Sequence, residues 1–213
     1  IKCLTDRLGT RWATAETSFK FHASCRHTHP AADALLALMQ EHKLAAGDIA
    51  GVTAHVHQGA LDVLGPVTDP QSIHQSKFSM GFVLAVIATL GRASLTDFTE
   101  AALRDAKLRA FHDKVQMVLD PEVDAAYPKR WLGRVSVMTN DGRKLEKRIT
   151  SPKGDPDNTL TRPEIEDKAL RLAVFTGGAS ADEMRGVIAR VWKLREAKDV
   201  RDFLQYSAAA GFR

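Results

Sequence analysis

Asn140-Asp141-Gly142 stands between two runs of alternating apolar and polar residues, Arg134 to Thr139 and Lys144 to Thr150. A tight hairpin turn needs positive φ at its centre, and Asn/Asp-Gly supplies it at little steric cost, so this stretch predicts an antiparallel pair. Ile49 to His57 alternates in the same way and predicts a half-buried strand. Around these strands the period changes to helical. Ala31 to Glu41 is rich in strong helix formers, carries its apolar stripe on Leu35, Leu36, Leu38 and Met39, and follows Pro30, which suits a first helical turn. Ser76 to Phe82 leads into an apolar helix that ends at Gly91, and Thr96 to Phe111 holds one or two short helices. Trp12 to Phe21 has β-tolerant residues without clean alternation and is read as extended. The fold class is therefore α+β.

The composition then shifts. Ser151-Pro-Lys-Gly-Asp-Pro-Asp-Asn158 is a polar linker, and everything beyond it reads as helix. Thr161-x-x-Glu164 and Ser180-x-x-Glu183 are capping boxes, which open helices at about Arg162–Phe175 and Ala181–Lys193. A tail of this size is a thin basis for an independent core and is expected to pack on helices outside the chain. The other end gives a matching expectation. Ile1 to Gly9 reads as the last turns of a helix stopped by Gly9, so the chain is expected to be the later part of a longer protein.

Composition excludes several classes of function. The 213 residues carry 30 basic and 26 acidic side chains, a net charge of +4, and these are interspersed without a basic run or interleaved aromatics, so no nucleic-acid partner is expected. The longest apolar run, Phe82 to Leu90, is too short to span a bilayer. Two cysteines, Cys3 and Cys25, make no disulfide framework and point to a reducing, cytoplasmic setting.

The chemistry concentrates in Lys20 to His29, where Lys20, His22, Ser24, Cys25, Arg26, His27 and His29 directly precede a helix. Three readings compete with ordinary loop chemistry. His22, Cys25, His27 and His29, with Cys3, are possible zinc ligands, although no Cys-x-x-Cys pair or second cluster completes a set. Cys25 beside Arg26 at a helix start is a possible nucleophile with a histidine as base. The reading that fits best is an anion site, in which Lys20 and Arg26 give charge, Ser24 a hydroxyl and the helix start its free N–H groups. His29 also has a structural reading, as a ring that caps the helix or meets a buried carbonyl.

Phe19-Lys-Phe-His-Ala-Ser-Cys-Arg-His-Thr-His-Pro-Ala-Ala-Asp33 resembles the Lys-x-x-x-[Ser/Cys]-Cys-Arg-x-Thr-His-x-x-x-Asp signature of the MmgE/PrpD family. Three further stretches agree in order. Asp48-Ile-Ala-Gly-Val52 resembles the family's Asp-Ile-x-x-Ile strand entry, Ser76-Lys-Phe-Ser-Met-Gly-Phe82 its Ala-Lys-Phe-Ser-Leu-Pro-Tyr segment, and Gly154-Asp-Pro-Asp-Asn158 with Thr161, Glu164 and Lys168 its linker into closing helices.

The resemblance implies a small mixed sheet with flanking helices, a lid domain over residues 18–152, preceded by the end of a helical domain (1–17) and followed by helices that return to it (153–213). It implies a cofactor-independent lyase, a hydro-lyase like 2-methylcitrate dehydratase or else an epimerase or decarboxylase, acting on a small di- or tricarboxylate in a homodimer. The N-terminal helical half would then be a partner of this chain. Carried over residue by residue, Lys20, Cys25 and His29 are the catalytic candidates, and Ser24, Arg26, Lys77, Ser79 and Phe82 the substrate-binding ones. No metal is implied. Two positions depart from the pattern: Phe82 stands where many members have Tyr, which removes a phenolic proton donor, and Gly81 replaces Pro. The family's N-terminal histidines have no counterpart in this sequence, which leaves a non-catalytic binding module as the alternative.

Overall fold

The computed structural model describes residues 5–200. Residues 1–4 and 201–213 lie outside them, and with these the start of the Ile1–Gly9 helix reading and Cys3 as a metal-ligand candidate. The chain divides into two compact units, one running to Leu160 and the other beginning at Thr161.

The first unit is built on a four-stranded mixed sheet in the order β2-β1-β3-β4. Its strands are β1 (Ile49–Val56), β2 (Val115–Leu119), β3 (Gly133–Thr139) and β4 (Lys144–Ile149). β3 and β4 form the hairpin that Asn140-Asp-Gly142 announces, with Gly142 at φ +84°. β1 pairs antiparallel with β3 and parallel with β2. A parallel neighbour needs a crossover. That crossover carries α2 (Gln58–Leu64), α3 (Ile73–Ser76), α4 (Met80–Leu90), α5 (Glu100–Arg104) and α6 (Ala106–His112). Before the sheet lies α1 (His29–His42), and after β2 comes α7 (Pro121–Ala126).

One face of the sheet is covered and the other is wet. Val52, Ala54 and Val56 of β1 and Val135 and Val137 of β3 are buried with Leu35 and Leu38 of α1 and Val83, Leu84, Val86 and Ile87 of α4. Each such valine, leucine or isoleucine side chain contributes about 1.5–3 kcal/mol by leaving water. α4 is apolar on nearly every side because it lies inside this layer. Ser79 Oγ accepts from Phe82 N–H at its start, and Gly91 closes it at φ +67°. On the open face the residues between are polar: His55 Nε2 and Ser136 Oγ lie 2.8 Å apart, and Arg134 donates to Asp120 and Glu146.

The extended reading of Trp12 to Phe21 is interrupted at its start. A 3-10 turn at Ala13–Glu16 is its regular element, and the remainder runs irregularly on the surface. Without alternation the segment has no apolar row to lay on the sheet, so β-tolerant residues alone leave it unpaired. The second unit contains α8 (Arg162–Val174) and α9 (Ala181–Trp192), each opened by the capping box expected for it. Neither helix buries a residue fully, and Leu172, Val174, Val191 and Trp192 are exposed. Among the described residues, no helix is long and apolar enough to cross a membrane.

Candidate functional site

The histidine-rich stretch runs into the unit between two other segments that it holds by backbone bonds. Ala23 N–H donates to Ala93 O and Cys25 N–H to Lys77 O, both at 2.8 Å. A 3-10 turn, Arg26–Thr28, then passes directly into α1. Thr28 does not cap the helix through its side chain: its hydroxyl donates to Cys25 O and meets Ser24 Oγ, each at 2.8 Å.

Two carboxylates tie this stretch to the linker. His22 Nε2 donates to Asp33 Oδ1 at 2.6 Å, and the other oxygen of Asp33 accepts the Lys153 backbone N–H at 2.6 Å. Arg26 donates to Asp155, which also accepts from Ser151 Oγ at 3.4 Å. Phe19 N–H donates to Gly154 O, and at Gly154 (φ +100°) an added Cβ would meet Phe19 O at 2.2 Å. Only glycine fits there. Two stretches 120 residues apart in sequence thus form one braced structure.

Within it, His29 is fully buried, with neither ring nitrogen in hydrogen-bond geometry. Its ring meets that of His22 edge-on at 5.2 Å. Burial above all, then the charges of His22, Arg26 and Lys20, push its pKa down to about 3, against a small opposing effect of the Ser24 backbone. His29 is therefore a neutral imidazole.

The candidates separate by position. Lys20 is exposed and makes no ion pair among the described residues. Ser24 and Cys25 are buried. Arg26 stacks over Trp131 at 5.0 Å while it holds Asp155. Lys77 lies over the Phe98 ring at 5.7 Å, its carbonyl joined to Cys25. Ser79 is committed to the α4 cap, and Phe82 sits in the core 6.4 Å from Phe98. The free cation, free hydroxyl and open helix start that the sequence offered as an anion site do not converge. Ser24 is bonded to Thr28, and the helix start is enclosed. Among the described residues no group of three His, Cys, Asp or Glu is placed to hold a metal ion.

Beside the brace stands a cluster the sequence did not announce. His27 Nδ1 and His57 Nε2 face each other at 3.2 Å. His57 stacks on Tyr127 at 3.7 Å, and Trp131 closes the group edge-on. Burial lowers the pKa of both histidines, and at His57 the neighbouring His27 lowers it further, against Asp124, which raises it. His57 was visible only as the last residue of a strand pattern, and Tyr127 and Trp131 lie in a stretch without periodicity.

A family model described as the MmgE/PrpD C-terminal domain matches residues 22–194. The chain belongs to the MmgE/PrpD family. The matched span takes in the sheet, the braced stretch from His22 onward and both helices of the second unit, so the α+β architecture is that of the family's C-terminal domain. MmgE/PrpD proteins are generally enzymes, lyases and isomerases. No curated protein matches the chain.

Proposed function

We propose that this chain forms one wall of the active site of a cofactor-independent MmgE/PrpD lyase that removes a proton α to a carboxylate of a small di- or tricarboxylic acid. The observation that carries this reading is the brace between residues 19–33 and 151–158, which holds Lys20 outward as an unpaired cation beside the signature. A fixed cation at that place suits a substrate carboxylate. It gains most when negative charge builds on the carboxylate oxygens as the α-proton leaves. Arg26 and His22 act through Asp155 and Asp33 as positioning residues for the segment. His29, neutral and buried, adds no charge to this stretch.

The opposite wall belongs, on this reading, to an N-terminal helical half that also covers the exposed apolar residues of α8 and α9.

Titration calorimetry with citrate and 2-methylcitrate, on the chain alone and mixed with a helical half, tests the proposal. Binding by the mixture that falls about tenfold in Lys20→Ala, the loss of one charge-assisted contact, is the expected result. Affinity unchanged in Lys20→Ala would remove Lys20 from the site.

A further inference from the structure

The wet face of the sheet carries a constellation that the braced stretch does not use. His55 of β1 and Ser136 of β3 are diagonal neighbours across the antiparallel pair, because Thr53 stands opposite Ser136 and Arg134 opposite His55. Their side chains meet: Ser136 Oγ lies 2.8 Å from His55 Nε2. On the other side of the ring, His55 Nδ1 stands 3.5 Å from Asp120 Oδ2. That distance is long for a hydrogen bond but within the looseness of catalytic contacts in unliganded sites.

The three groups are held to different degrees. Asp120 is buried and fixed. Its Oδ1 accepts the Glu122 and Val123 N–H groups at the start of α7, at 2.9 and 3.2 Å, and its Oδ2 accepts from Arg134 at 2.7 Å. Burial opposes its charge, but these donors outweigh burial and hold its pKa below the usual carboxylate range. A carboxylate only accepts, so it draws the His55 proton onto Nδ1 and leaves Nε2 bare toward the serine. The His55 side chain is 17% exposed. Burial first, then Arg134 and more weakly Arg148, lower its pKa, against Asp120 and Glu146, which raise it. The ring is therefore neutral at pH 7. Ser136 is half-buried on the same wet face.

A hydroxyl that donates to a neutral imidazole, itself oriented by a buried carboxylate, is the arrangement that turns serine into a nucleophile. We propose that Ser136, His55 and Asp120 form an acyl-transfer site that hydrolyses small, activated carboxylic esters. Ser136 Oγ bonds to the acyl carbon while its proton passes to His55 Nε2. That proton then goes to the departing alkoxide as the ester C–O bond breaks, leaving an acyl-serine. Water, deprotonated by the same nitrogen, attacks the acyl carbon, and Ser136 takes the proton back as the carboxylic acid is released. Arg134 lies two residues from Ser136 on the same face of β3, and its Nε–H has no partner among the described residues. It is the donor for the negative charge that gathers on the acyl oxygen. Asp120 is a positioning residue, acting through His55. An open sheet face grips little of a substrate, so the class is small acyl groups on good leaving groups. The site does not depend on the lyase reading.

A fluorophosphonate probe tests the proposal on the full chain, because it bonds to an activated serine oxygen with loss of fluoride. Peptide mass spectrometry is expected to find the adduct on Ser136, and p-nitrophenyl acetate to release a stoichiometric burst of nitrophenolate. Ser136→Ala should abolish both. His55→Gln keeps a polar side chain on the wet face and should slow labelling about a hundredfold, with circular dichroism unchanged in both variants. The labelling rate of the wild type should fall as acid protonates His55, with a midpoint below pH 6.5. A folded wild-type chain without an adduct on Ser136, labelling as fast in His55→Gln, or a rate indifferent to pH would each overturn the proposal.

Discussion

His29 gives the sharpest handle on the energetics of the brace. Its pKa in the fold is about 3, against 6.5 for the free side chain, mainly because burial disfavours the charged ring. The folded value is the lower one, so the unfolded chain binds the extra proton, and stability is lost as pH falls below 6.5. The full value holds above 6.5. Each pH unit between 6.5 and 3 then costs about 1.4 kcal/mol, which makes the His29 contribution about 2 kcal/mol at pH 5. His29→Phe removes the titration while keeping a ring against His22. The ring nitrogens of His29 have no partner in good hydrogen-bond geometry, only a weak contact with the Ser24 backbone, so the replacement gives up little and is expected to stay within about 1 kcal/mol of wild type at pH 7. Urea unfolding at pH 7.5 and at pH 5, followed by circular dichroism, isolates the effect. His27, His55 and His57 also have pKa values lowered first by burial, and they contribute the same acid sensitivity to both proteins. The difference between the two pH dependences belongs to His29. Wild type should therefore lose about 2 kcal/mol more than the variant on going to pH 5. Equal losses would mean that His29 is protonated freely in the folded state, and the closed, neutral site argued from its burial would be wrong.

Two other substitutions test the brace from the linker side. Asp155→Ala leaves the Arg26 guanidinium partly buried without its carboxylate and is expected to destabilise by about 3 kcal/mol, whereas the double change Arg26→Met with Asp155→Leu should recover most of that loss; a single variant as stable as wild type would show that the pair carries no weight. Gly154→Ala asks for positive φ and forces a Cβ onto Phe19 O, so it should cost about 2 kcal/mol or more, while Gly142→Ala in the hairpin, with open space around it, should cost about 1 kcal/mol from φ alone; a midpoint scan of both variants checks the order.

The sequence announced some elements of this fold and not others, and the division follows from how local each signal is. The β3–β4 hairpin is specified within a few residues by Asn140-Asp-Gly142, and α8 and α9 by their capping boxes, so all three are legible. β1 is legible because its two faces meet different surroundings. β2 is not: five residues that follow α6 after only the two-residue turn Asp113–Lys114, with no glycine or proline to mark the boundary and a single polar side chain, give a run too short to distinguish from helix. Its strand character is conferred by β1, which lies more than fifty residues earlier. In Trp12 to Phe21 the extended reading misses the 3-10 turn at Ala13–Glu16, because β-tolerant residue types without alternation give no row to pair.

The same distinction separates what could be read of the site from what could not. The signature residues were found because they lie within ten positions of one another, and their types carry chemistry. What they do depends on Asp155, Asp33, Trp131 and Thr28, which decide that Arg26 and His22 are engaged as braces and that Ser24 is not free. Composition suggested an anion site by adding up cations and donors. Folding engages most of them internally and leaves Lys20 as the signature cation whose side chain stays in water. A motif rich in functional residue types can therefore be mostly scaffold, because the fold engages those same donors and charges in its own bracing.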